Sequence, residues 1–322
     1  MKQVTKKQHY IWRNYLAPWT SNNTNEGRIV CLRNNKIFTT SLMNVAHENY
    51  FYGVKELSPL EKELISKMFI ENQQGVQRQI NERWLKLYCS SFDTINEITF
   101  LRYFVLGGLN RDDIENNEVF KDWNVEIIEK LHEQIESSAI QFLSLLQENS
   151  LDFWKEELYR GEFSFYIANQ YFRTKKIRER LISVFKIGKR NIEAFNEIHP
   201  ENMWIPITLM LATSVGMHIF QGFSAILLQA PADCCFIVGD QPVVNTYMTY
   251  DILKAPEDVE FYYPISPHSA LLLTKKQKEM NGQILSITPD EVYNYNNMEQ
   301  KASNEFLFAN DPSHLQKYIL LE

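Results

Sequence analysis

The rhythm of hydrophobic and polar positions changes twice along this chain. "RIVCLRNNKIFTTSL" is β-rich on both sides of Asn34-Asn35. Asparagine tolerates positive φ, so the segment predicts a β-hairpin over residues 28–42. From residue 58 the apolar positions recur at helical spacing. In "SPLEKELISKMFIENQQ", Ser58 caps, Pro59 suits the first helical position and Glu61 completes a capping box. Leu60, Leu64, Ile65, Met68 and Phe69 then share one face. Further helices are predicted over 77–108, 119–148, 161–187 and 201–222, with a short helix or turn at 151–158. The second of these carries Ile128, Leu131, Ile135, Phe142 and Leu146 as its apolar stripe. Beyond residue 222 the runs become short and β-rich: "AILLQA", "CCFIVG", "EFYYPIS", "ALLLTK" and a weaker "GQILSIT". A helix is predicted over 289–309. The fold class is α+β: N-terminal β-hairpin, helical middle (about 58–222) and C-terminal mostly antiparallel sheet (about 223–322), read as a single composite domain.

Composition narrows the function classes. The net charge of -7 argues against a whole-chain electrostatic nucleic-acid binder but leaves room for a local basic patch. Cys31, Cys89, Cys234 and Cys235 form no CxxC, so a zinc site is not indicated. The vicinal pair reads as buried small hydrophobes in a reducing, cytoplasmic setting. "MWIPITLMLATSVGMHIF" carries Pro206, Thr208, Thr213, Ser214 and His218, which are costly in lipid; a buried core helix is expected, with no membrane partner. GxGxxG, P-loop, GxSxG and HExxH are all absent, so no nucleotide cofactor is indicated.

Three places carry candidate chemistry. "KKQHYIWRNYLAPWT" sets His9, a general acid or base near neutral pH, beside Tyr10 and Arg13. Its alternative role is an aromatic tether for the chain end, with His9 a satisfied hydrogen-bonding residue. "FIVGDQPVVN" puts Asp240 after an apolar strand and a glycine, on a turn stiffened by proline. There it serves catalysis or satisfies nearby backbone amides. Between Arg173 and Arg190 there are eight Lys/Arg and one Glu, Lys176 among them. Such a stretch suits a phosphate-rich partner or a solvated face paired with the acidic run 112–122. Gln170 and Arg173 share a helical face, and Arg173 sits where it can point inward.

These same blocks resemble the DUF4238 family, an uncharacterised and mainly bacterial family. Its opening Gln-His-Tyr motif is matched by Gln8, His9 and Tyr10, with Trp12 where proline is usual and Leu16 and Trp19 beyond. The resemblance runs on through "NVAHENYFYG". Gln170, Arg173 and Thr174 follow, with Lys175 where proline is frequent, then Asp240 and Pro242, and finally Pro264, Ser266 and Pro267. The resemblance supplies positions rather than a reaction, and moves His9, Arg173 and Asp240 towards function.

The expected activity is hydrolysis of a phosphodiester or nucleotide, as by a nuclease effector in a toxin or phage-defence setting. His9 would be the acid or base, and Arg173 and Arg13 would stabilise phosphate charge. Asp240 would orient His9 or hold a divalent cation such as Mg2+ or Mn2+. Tyr10, Arg13, Gln170 and Lys176 would bind substrate. The alternative is a non-enzymatic nucleic-acid- or protein-binding regulator, in which the same polar residues form a structural core.

Overall fold

The structure is a computed structural model that describes residues 6–106, 118–191, 196–249 and 251–319. Its described residues form two compact units. One lies within Met1–Gln8, Glu48–Ile135 and Leu181–Ser214, the other within His9–His47, Glu136–Arg180 and Val215–Glu322.

The first unit is helical. Helix α2 (Pro59–Ser66; α1 is the short Arg13–Leu16) begins with both halves of the Ser58/Glu61 capping box in place. A π-helical turn, Lys67–Glu71, follows directly and adds a residue to the repeat. The apolar stripe therefore shifts: Ile65 and Ile70 are buried while Met68 is exposed. Glu61 is itself buried, and its second carboxylate oxygen accepts the His199 N–H at 2.6 Å. The long helices α3 (Gly75–Leu106) and α4 (Glu118–Gln147) follow. The predicted stop at Gly107-Gly108 lies outside the described residues, as does most of the acidic run 112–122.

One long helix predicted over 161–187 is instead two, α5 (Glu157–Phe172) and α6 (Lys175–Asn191). The break falls at Arg173-Thr174, and α6 runs on past Gly188. The Thr174 hydroxyl accepts the Ile177 N–H and donates to the Gln241 amide oxygen, holding the break open. Helix α7 (Pro200–Gly222) is long and apolar enough to cross a membrane by length and composition, yet 67% of its most apolar window is buried inside the protein. Its Thr208, Thr213 and Ser214 hydroxyls donate to carbonyls three or four residues back, so burial leaves them satisfied. Gly216 allows a close approach here, because a Cβ would stand 3.1 Å from the Phe165 Cα on α5.

The second unit contains two sheets. Strands β2 (Arg28–Arg33) and β3 (Lys36–Ser41) form the hairpin, with Asn34 and Asn35 at φ 50° and 58°. Strand β5 (Ser224–Gln229) starts the second group, which includes β6 (Val238–Gly239), β7 (Val244–Asn245), β8 (Phe261–Ser266), β9 (Ser269–Thr274) and β10 (Ile284–Ser286). Five of them form a sheet in the order β10-β5-β9-β8-β7, antiparallel except for β10 beside β5. Helix α8 (Pro289–Ala302) stops short of the predicted residue 309. Ser303 is extended, and Leu307–Ala309 is a strand, β11, paired with β2 and β6. An apolar run that short fits helix or strand equally, and its neighbours decide. The N-terminal hairpin thus belongs to a four-stranded sheet, β3-β2-β11-β6. Of the four cysteines, all free, Cys31 and Cys89 are buried while the vicinal Cys234 and Cys235 are half-buried.

Candidate functional site

Strand β1 (Lys7–His9), paired with β4 (His47–Asn49), accounts for the Gln-His-Tyr run. Strand side chains alternate. Gln8 is buried, donating to the Val125 carbonyl at 2.8 Å and accepting the Tyr52 N–H at 2.7 Å. Tyr10 is buried too, and its N–H donates to the Ala46 carbonyl at 3.0 Å. His9, between them, stays half-buried. Ala46 holds φ 49°, a left-handed conformation that costs a residue with a Cβ about 1–2 kcal/mol. The turn it makes presents the Val45 backbone to His9, which hydrogen-bonds to it.

His9 Nε2 is buried with no hydrogen-bond partner among the described residues. Burial, then the Arg13 guanidinium, then the His47 imidazole push the His9 pKa down from 6.5 to about 4. At neutral pH this is an uncharged imidazole, with one ring nitrogen a donor and the other an acceptor. The His47 ring lies edge-on to it, with centroids 5.4 Å apart. Arg13 is half-buried and rests against the Met43 sulfur.

Arg173 reaches the same strand from the end of α5. Its buried guanidinium forms an ion pair with Glu136 of α4 and donates to the His9 carbonyl at 2.8 Å. Glu136 balances the charge, so Arg173 fixes the His9 backbone. The other aromatics of the opening run anchor it to β8 and to the segment before β6. Tyr15 stacks on Tyr263 at 4.7 Å and donates to the Pro264 carbonyl, and Trp19 donates to the Phe236 carbonyl. One turn before Gln170 on α5, the Tyr166 and Tyr263 hydroxyls bond at 2.8 Å.

Asp240 does different work. Its fully buried carboxylate accepts the N–H groups of Asn304 and Glu305 at 2.6 and 2.8 Å, clamping the segment between α8 and β11. Burial nonetheless outweighs these amides and raises its pKa from 3.8 to about 6, with the Glu305 charge adding to the rise. The groups that set the charge of Asp240 and those that set the charge of His9 do not overlap. A Cβ on the preceding Gly239 would run into the Ser303 hydroxyl and stand 3.2 Å from the Glu299 carbonyl, so glycine fits this close approach best. The Gly239 N–H donates to Glu299, a buried acid whose pKa burial pushes far up. Lys176 donates to the carbonyls of Lys301 and Ser303, capping the end of α8. Lys175 pairs with Glu305, Arg180 donates to the Thr249 and Asp251 carbonyls, and Lys186 pairs with Glu201. Much of the basic stretch is thus engaged within the protein. Among the described residues, no three His, Cys, Asp or Glu side chains group in a way that could hold a metal ion.

A family model described as a protein of unknown function, DUF4238, matches residues 7–313. The chain belongs to the DUF4238 family. No curated protein and no solved structure matches it. In this DUF4238 member the matched Gln-His-Tyr block and the Arg173 block meet at the His9 carbonyl, while Asp240 serves a separate clamp. Sequence reasoning passed over three participants. His47 stands inside "NVAHENYFYG", but nothing local marks it as the neighbour of His9. Glu136 lies on the buried side of α4, next to Ile135, where an acid signals a buried partner. Val45 acts through its backbone, which leaves no residue-type signal.

Proposed function

We propose that this protein is a hydrolase of a phosphodiester or nucleotide in which His9 moves the proton. The observation that carries this reading is the His9 imidazole: uncharged at neutral pH, with Nε2 buried and without a partner among the described residues. A buried acceptor without a partner lowers stability, and such a group on a half-buried residue marks a place for a ligand proton. Arg13, the strongest charge acting on His9, is the cation suited to phosphate, in place of the compensated Arg173. His9 would take a proton from the attacking hydroxyl, and Arg13 would offset charge developing on the phosphoryl oxygens.

The internal bonds of Arg173, Asp240 and Lys176 favour the structural-core reading for those three residues. The deciding experiment incubates purified protein with mixed RNA and DNA in magnesium, in manganese and in EDTA. Replacing a general base costs about 10²–10⁴-fold. His9→Gln should therefore lose cleavage by that factor at an unchanged melting temperature, whereas Asp240→Asn should lower the melting temperature first. A His9→Gln variant as active as wild type sinks the assignment. Without cleavage by wild type, and with variants that melt early, the polar cluster would be that of a binding protein.

A further inference from the structure

His9 shares its ribbon with a second imidazole. The Tyr10 N–H donates to the Ala46 carbonyl at 3.0 Å, and the Tyr50 N–H donates to the Lys6 carbonyl at 2.9 Å. Counting along β1 and β4 from either bond places His9 directly opposite His47 in an antiparallel ribbon. The pair falls between hydrogen-bonded pairs, where opposed strands come closest and the two side chains stand on one face. The rings lie accordingly, with centroids 5.4 Å apart and planes at 70°. Both residues are half-buried, so neither is sealed in the core.

Two imidazoles that ligate one tetrahedral ion, each at ~2.1 Å, hold their ring centres roughly 5 Å apart. The ribbon already sets that spacing. His9 Nε2 is buried with no partner among the described residues. An imidazole ligates through either ring nitrogen, so no particular tautomer of the free protein is required. The neutral ring is the ligating form, and His9, with a pKa of about 4, keeps it at neutral pH. Arg13 places positive charge beside His9. An ion with two protein ligands keeps further positions open, and that charge favours an anion such as chloride or hydroxide in one of them. Imidazole suits zinc, copper and nickel, whereas magnesium prefers oxygen.

We propose that His9 and His47 form a two-histidine site for a transition-metal dication such as Zn2+. Two protein ligands make an exchangeable site, short of the three that hold a catalytic zinc. A ligated His9 cannot also take a proton, so the bound ion would hold the protein inactive. That regulatory consequence rests on the proposed hydrolase reading; the binding does not.

The test titrates the full chain, stripped of metal with EDTA and dialysed, with Zn2+ and with Mg2+ by calorimetry. Thiols also take zinc, so all proteins carry Cys234→Ser and Cys235→Ser. Zn2+ should bind and raise the melting temperature with its concentration, and Mg2+ should do neither. His9→Gln and His47→Gln should each weaken the zinc binding by about tenfold or more. Where a variant fails to fold, the imidazole nitrogen shifts of the unsubstituted histidines serve: both rings should move together with the first equivalent of Zn2+. Equal zinc binding with and without His9, or shifts in neither ring, overturns the site and leaves the hydrolase reading standing. Cleavage of RNA or DNA should stop with that equivalent and return in EDTA. Zinc bound at the pair with cleavage unchanged overturns the regulation and the role of His9 as proton acceptor, while the metal site stands.

Discussion

At the scale of single residues, the site is governed by what burial does to polar groups. His9 and Asp240 are moved in opposite senses by the same cause: burial disfavours the charged form of each. Arg173 and Glu136 solve the problem by pairing. Removing one partner of a buried pair strands the other, at about 3–5 kcal/mol, while an apolar replacement of both is often close to neutral. Arg173→Met should therefore lose stability in that range, and Arg173→Met with Glu136→Leu should recover most of it. Chemical denaturation of the two variants measures the difference. Equal losses would mean that the guanidinium works chiefly through the His9 carbonyl. That Arg173 can point inward was legible in the sequence. The role of Arg173 as a backbone brace was not, because its acceptor, the carbonyl of a residue 164 positions away, has no residue-type signature.

At the scale of elements, helix starts read well and helix ends read poorly. The Ser58/Glu61 box and the Asn34-Asn35 turn are local chemistry, complete within four residues, and both form as predicted. The break between α5 and α6 depends on Gln241, which meets Thr174 from the turn after β6. Gln241 in turn donates to the Tyr171 and Val243 carbonyls. Thr174→Val would leave the buried Gln241 amide oxygen without its donor, at about 1–3 kcal/mol. Thr174→Ser keeps the hydroxyl and should cost far less. Thermal melts of the pair check this, and equal melting temperatures would show that the break does not rest on the hydroxyl.

At the scale of the whole molecule, the opposed shifts give a stability profile with a definite sign. His9 has a folded pKa of about 4, below its ordinary 6.5. The unfolded chain binds the extra proton between those values, so the His9 contribution is present above pH 6.5 and lost as pH falls towards 4. Asp240 has a folded pKa of about 6, above its ordinary 3.8. There the folded chain binds the extra proton, and its contribution is present below pH 3.8 and lost as pH rises through 6. Melting temperatures of wild type, His9→Gln and Asp240→Asn across pH 4–7 separate the two. Wild type minus His9→Gln should increase with pH, and wild type minus Asp240→Asn should decrease. A flat difference would mean that the group titrates normally in the folded protein.

The sequence by itself determined the α+β class, the hairpin, the helix caps and the blocks that carry the DUF4238 family match. All of these rest on interactions within a few residues, or on residue identity. Tertiary structure decided which polar groups are consumed and which are left over. The basic residues of α6 look available in sequence and are largely engaged with carbonyls and acids. His9 and Gln170 stand out in sequence only as residue types, and among the described residues each keeps a buried atom without a partner. Hydrogen-bond satisfaction depends on the three-dimensional neighbourhood of every donor and acceptor, and no local pattern encodes it.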